Sequence, residues 1–199
     1  VDEKKYLRKP QLDRLLAHLR KQKNRPRRYF MVRISAAMGL RMTEARHMLP
    51  ADLRRLAGEG LIAVRVAKRH DQQSKGLAGR EIVWQRVSKK LQTELLVFLR
   101  WARIDPNKDT GWIFPGRDPT KPAHKQSIHD WFTQACIDCG IGRKTFHCLR
   151  HYRGFTVQSA KHDLAITQRA LRHKDAKTTV IYTQPTPDEE RELENEIDA

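Results

Sequence analysis

The chain has 199 residues, 39% hydrophobic and 32% charged, which fits a soluble globular protein of one domain with a proper core. No apolar run is long enough to span a bilayer, and Val1-Asp2-Glu3-Lys4-Lys5 has no signal-peptide core, so a cytoplasmic protein is expected. The net charge of +17 is uneven: residues 188–199 set seven carboxylates against one arginine, a net −6, which leaves +23 on residues 1–187. Such a field recruits a polyanion, nucleic acid foremost, with a basic ribosomal or membrane-surface protein as the plainer alternative.

Lys9 to Arg20 reads as a first helix, with Pro10 in its first turn and Leu12, Leu15, Leu16 and Leu19 on one face. Arg27 to Met38 is a second, turning Phe30, Ile34, Ala37 and Met38 inward. Gly39 can end it in a left-handed conformation, and Thr43 can cap the next, with Glu44 in its first turn and Arg41 at the junction, pointing away from the core. Leu61–Ala67 and Glu81–Val87 read as strands joined by a long polar hairpin loop that contains Lys68 and Lys75. Ser88 caps a helix to Arg103, with Leu91, Leu95, Phe98, Leu99 and Ala102 inward. Asp105 to Lys125 is a proline- and glycine-rich loop, anchored by Trp112-Ile113-Phe114-Pro115. Ser127 to Cys139 is helical and stops at Gly140. A helix opening near His147 runs to about Ala160, Asp163 caps another to Arg172, and Thr178 or Thr179 starts a short helix carrying Tyr182. There is no internal repeat.

Three cysteines, an odd number, argue against a disulfide framework. Cys136 and Cys139 form a C-x-x-C inside a helical pattern, and both are expected to be buried apolar residues. A zinc site would want a second pair, and only Cys148 remains, so neither metal nor cofactor is expected.

The richest stretch is Lys144 to Tyr182. It contains His147-Cys148-Leu149-Arg150-His151, then Leu171-Arg172-His173, then Thr178-Thr179-Val180-Ile181-Tyr182. His147 and Arg150 are three apart, hence on one helix face. Two imidazoles, a guanidinium and a phenol suit metal-free phosphoryl transfer to tyrosine: the guanidinium holds two phosphate oxygens, the imidazoles donate hydrogen bonds, and the phenol is the nucleophile. Each element alone is weak, since H-x-x-R arises by chance and a lone Tyr is ordinarily a core residue.

The order and spacing together resemble the carboxy-terminal half of the tyrosine recombinase and integrase family. Gly39-Leu40-Arg41 with Glu44 resembles that family's first arginine box, and Asp52-Leu53 its pair before the sheet. The resemblance spans about residues 10–185 and implies a mostly α catalytic domain with a small antiparallel β-sheet, an α+β fold, over residues 1–187. It implies that Arg41 and Arg150 clamp one DNA phosphate. His147, assisted by His173, orients or deprotonates the phenol of Tyr182, and a hairpin lysine protonates the leaving 5′-oxygen. Ser74-Lys75-Gly76 fits that lysine better than Lys68, which stays open. One departure is Arg172, where the family usually has Gly, so the helix is expected to end differently there. The resemblance implies double-stranded DNA as the partner and a homo-oligomer on it, a tetrameric synapse; full-length members usually carry an amino-terminal helical domain. None precedes Val1, so the chain reads as part of a larger recombinase, with a minimal single-domain member as the alternative. The tail 188–199 is either a frayed solvated end or a segment that docks on a neighbouring protomer. Type IB topoisomerase chemistry and an inactive DNA-binding relative are the other functional readings. Which of integration, excision or chromosome resolution is served is not legible.

Overall fold

A computed structural model describes residues 7–22, 26–66, 80–173 and 179–182. In chain order they form α1 (Lys9–Lys21), α2 (Pro26–Met38), α3 (Met42–Arg46), a 3₁₀ turn (Pro50–Leu53) and α4 (Leu56–Glu59). Strands β1 (Leu61–Arg65) and β2 (Ile82–Arg86) follow, then α5 (Lys89–Ala102), α6 (Lys125–Asp138), α7 (Cys148–Lys161), α8 (Leu164–Leu171) and a closing 3₁₀ turn (Val180–Tyr182). The architecture is mostly α with a two-stranded antiparallel sheet, as expected.

Helix α2 is the hub, packed against α1, α3, α5 and α7. That explains a composition with little amphipathic contrast. Met31, Val32, Ile34, Ser35, Ala36 and Met38 are all buried, while Phe30 and Ala37, expected inward, are only partly covered. A helix surrounded on most sides has no solvent stripe for periodicity to reveal. Helix α1 does keep a stripe, burying Leu12, Leu15 and Leu19, with Leu16 at its margin.

Two expected caps hold. The Ser88 hydroxyl accepts the Leu91 N–H at 3.2 Å, and the Asp163 carboxylate accepts the Ile166 N–H at 3.0 Å. One does not. Thr43 lies inside α3, and the residue before that helix is Arg41, whose backbone N–H donates to Glu44 at 2.9 Å. The carboxylate three residues on does the capping that a threonine hydroxyl was expected to do. Helix α6 starts two residues earlier than expected, at Lys125. Within it Cys136 is buried, but Cys139 is only half-buried, at the helix end.

The sheet pairs Ala63 with Trp84 and Arg65 with Ile82. Asp52 ties it to the bundle: its carboxylate accepts the Leu49 N–H at 2.9 Å and pairs with Arg65 at 2.9 Å. The Trp112-to-Pro115 anchor behaves as read, with Ile113 and Phe114 buried. Lys68 and Lys75, the two candidates for the hairpin lysine, lie outside the described residues, as does the acidic tail.

Candidate active site

The ends of α2 and α8 meet at Gly39. Helix α2 stops there in the left-handed conformation, φ 63°, and an added Cβ would lie 2.8 Å from the Leu171 side chain. The Gly39 carbonyl accepts Arg150 Nη1 at 2.6 Å and Arg172 Nη2 at 3.1 Å. The other terminal nitrogen of Arg150 donates to the Leu171 carbonyl. Arg150 is 1% exposed, so its guanidinium is a buried tie between the end of α2 and the end of α8. Two residues beyond Gly39, the Arg41 side chain donates to Glu44 at 2.9 Å while remaining a third exposed.

The expected difference at Arg172 is not found. The helix ends as it would with glycine, because Arg172 itself takes the left-handed conformation, φ 56°. What differs is the side chain. It turns inward, pairs with Glu44 at 3.1 Å, and donates to the Met38 carbonyl at 3.1 Å and Gln85 at 2.5 Å. Burial raises the Glu44 pKa, but the charge of Arg172, the Arg41 N–H and the charges of Arg41 and Arg150 outweigh it, so the carboxyl sits below its ordinary range. Three guanidiniums against one carboxylate leave two positive charges in excess, a setting suited to an anion. Burial, then Arg41, works against the charge on Arg150, and Glu44 opposes that effect.

Tyr182 completes the cluster from the closing 3₁₀ turn. It is 3% exposed and packs in a small apolar group with Phe155 and Leu171, apart from the main core. Its ring lies against bare backbone at Gly154, where an added Cβ would fall 2.5 Å from ring carbons. Phe155 meets the ring edge-on at 5.2 Å, and His173 lies nearly parallel to it at 6.2 Å. The hydroxyl is 3.2 Å from His151 Nδ1 and donates to it when that nitrogen is unprotonated. Burial pushes the phenol pKa up to about 12, against the pull of Arg150 and Arg41.

The other two imidazoles flank this pair. His147 stands perpendicular to His151, 4.8 Å between ring centroids, just before α7. His173 Nδ1 is 2.9 Å from the Thr179 hydroxyl, which links the end of α8 to the turn bearing Tyr182. Desolvation, then His151, Arg150 and Arg41, hold His147 below the usual histidine range, although its ring keeps access to solvent. Desolvation followed by Arg150, Arg41 and Arg172 does the same to His173. Both are neutral at pH 7.

The fold and this cluster can be set beside known proteins. The sequence profile of the phage integrase family matches residues 5–189. The chain belongs to the phage integrase family. Tyrosine recombinase XerD of Caulobacter vibrioides is 35% identical over 78 residues, 38% of this chain and 26% of that protein. The XerA recombinase crystal structure superposes with a TM-score of 0.74 at 22% identity, over 98% of this chain and 64% of that one. The catalytic domain of bacteriophage HP1 integrase gives 0.58 at 16% identity, over 97% and 93%. This integrase-family chain therefore spans about two thirds of the XerA structure and nearly all of the isolated HP1 domain.

Of the six residues singled out from the sequence, Arg41, His147, Arg150, His173 and Tyr182 converge in this integrase-family chain, and Lys75 lies outside the described residues. His147 stands at the start of α7 in helical conformation, its carbonyl accepting the Arg150 N–H at 3.0 Å; it stays exposed, whereas the Arg150 side chain is buried. The face toward Tyr182 is His151, Gly154 and Phe155, spaced by three and four residues. That stripe was visible in the sequence, but only a known position for Tyr182 gives it meaning. Sequence reasoning marked Arg172 as a departure but missed its inward turn, since nothing local tells an inward arginine from a solvated one.

Proposed function

We propose that the chain is the catalytic domain of a site-specific DNA recombinase that cuts and rejoins strands through a 3′-phosphotyrosyl link. The observation that carries this reading is the Tyr182 hydroxyl held against His151 within electrostatic reach of Arg41 and Arg150. A buried phenol is a poor nucleophile until a base takes its proton, and a phosphodiester is a poor electrophile until its charge is met. Family relatives support the partner: the Tn1549 transposon integrase, with a TM-score of 0.69 at 14% identity, was solved in complex with transposon right end DNA.

The phosphate enters as the turn Val180–Tyr182 yields, since Tyr182 and Arg150 are both buried. Arg41 and the N–H groups of Arg150 not spent on carbonyls meet the non-bridging oxygens. The Tyr182 oxygen attacks phosphorus as His151 accepts its proton at Nδ1. His147 and His173 then hydrogen-bond the phosphate or the attacking oxygen. The bond from phosphorus to the 5′-oxygen breaks, and that oxygen takes a proton from the hairpin lysine, Lys75 or Lys68. A 5′-hydroxyl from a partner strand reverses the step, so bond energy is kept in the ester. The +23 body grips the backbone, and a tetrameric synapse supplies the partner strand.

Tyr182→Phe should bind duplex DNA as tightly as the parent and form no covalent adduct on a nicked suicide duplex. An undiminished adduct would remove Tyr182 from the role. Adduct formation should be unchanged in EDTA, because arginines supply the positive charge; loss restored by a divalent ion would redirect the mechanism. Relaxation of supercoils without exchange between two plasmids would mark a topoisomerase instead.

A further inference from the structure

Arg172 joins the end of α2, the start of α3 and strand β2. One nitrogen meets the Met38 carbonyl and Gln85 of β2, the other the Gly39 carbonyl and the Glu44 carboxylate. Its side chain is 4% exposed and that of Glu44 is 1% exposed, so both partners are removed from water. Glu44 is in turn the only acceptor recorded for the Arg41 side chain among the described residues, and the Gly39 carbonyl is shared with Arg150. Gln85, through its amide, also donates to the Ala170 carbonyl at 3.1 Å, so β2 is fastened to α8 twice. Strand β2 is the return strand of the hairpin whose loop contains Lys68 and Lys75.

We propose that Arg172 is a positioning residue for the cleavage step: it fixes Arg41 through Glu44, fixes Arg150 through the shared Gly39 carbonyl, and fixes the return strand of the hairpin through Gln85. It touches no reacting atom. A lysine could neutralise Glu44 but has no planar fork to serve acceptors on three elements at once. A glycine would suit the left-handed backbone and would leave the Met38, Gly39, Glu44 and Gln85 acceptors without this partner.

The proposal rests on the recombinase reading for its activity arm, and it is also tested without activity. Arg172→Gly keeps a relaxed helix end, and Arg172→Lys keeps the backbone and the charge. In single-turnover cleavage of a nicked duplex, Arg172→Gly should be slowed roughly 10- to 100-fold, the scale of a misplaced catalytic group, with DNA affinity within a few-fold of the parent. Arg172→Lys should regain only part of that rate. Adding Arg172→Gly to Glu44→Gln should cost the Arg41 arm nothing further, leaving a smaller loss than the two singles multiplied. Titration of the Glu44 carboxyl by carbon-13 NMR should move upward in Arg172→Gly and return toward the parent in Arg172→Lys, and thermal melting shows whether each variant is folded. Parental rates in a folded Arg172→Gly, or an unmoved Glu44 titration, overturn the proposal. No adduct from the parent chain overturns the recombinase reading instead, and the carboxyl titration still decides whether Arg172 holds Glu44. If Arg172→Gly does not fold, Arg172→Lys decides: full parental activity there would mean charge alone suffices and the fork does not matter.

Discussion

Tyr182 and Gly154 form one unit, although 28 residues separate them in the chain. The phenol can lie on α7 only because residue 154 has no side chain. In an exposed helix interior, alanine would be preferred to glycine by about 1 kcal/mol. Gly154→Ala therefore sets propensity against site geometry. It should leave the fold intact and DNA affinity unchanged, yet slow adduct formation at least about tenfold, since the ring must leave its bed and the His151 contact. Stopped-flow cleavage with a parallel binding titration checks this. Parental cleavage would mean the working position of Tyr182 is not the buried one. Arg150 belongs at the same scale, because each of its carbonyl bonds spans a long stretch of chain.

At the scale of elements, three helices among the described residues end on left-handed residues that are not glycine: Arg103 after α5, His162 after α7 and Arg172 after α8. Each pays roughly 1–2 kcal/mol of backbone strain. Arg103 and His162 are exposed, and the cap geometry gives a reason for their conformation but not for their side chains. Arg103→Gly and His162→Gly should each stabilise the fold by up to about 1 kcal/mol, seen as a higher melting temperature with unchanged cleavage. If neither raises it, the strain is already relieved by contacts of those side chains. The hairpin between β1 and β2 poses a second question. A substrate with sulfur at the 5′-bridging position needs no proton on its leaving group, since a thiol has a pKa of ~8.5. Lys75→Ala should be slow on ordinary DNA and recover on the sulfur substrate, while Lys68→Ala should be equally impaired on both. Rescue of Lys68→Ala would exchange the two assignments.

For the whole molecule, charge dominates. Binding of duplex DNA by a body of +23 should weaken steeply with salt, because phosphate neutralisation releases counterions. The histidines feel burial first and this field second, and together the two lower His147 and His173 from 6.5 to about 4 in the free fold. A group whose folded pKa is depressed favours the native state fully above its unfolded value. That stability is lost as pH falls from about 6.5 toward 4. Melting temperature should therefore drop from pH 7 to pH 5. A bound phosphate cancels the positive neighbours and raises both imidazoles, so DNA binding should take up protons and tighten as pH falls through this window. Calorimetry in two buffers of different ionisation heat measures the uptake; proton release on binding would place the phosphate away from these histidines.

How much of this could be read in advance follows from where each signal is written. The helices with an exposed side, α1 and α5, and the caps Ser88 and Asp163 were legible because they depend on neighbours within four residues. The order His147, Arg150, His173, Tyr182 was legible as a pattern of types and intervals, and with it the family. Helix α2 blurred because tertiary packing covers most of its sides. Thr43 lost its expected cap to Glu44, which the Arg41 N–H and Arg172 together hold in place. The partner of the phenol, the inward turn of Arg172 and the bare ledge at Gly154 are long-range contacts, decided only when α2, α7, α8 and the closing turn come together. Sequence alone pointed to Arg41, His147, Arg150, His173 and Tyr182 as candidates, because reactive types and local caps are written residue by residue. Tertiary structure decided which group touches which, because hydrogen-bond partners far apart in the chain are chosen by burial, where an unpaired charge costs more than strained backbone.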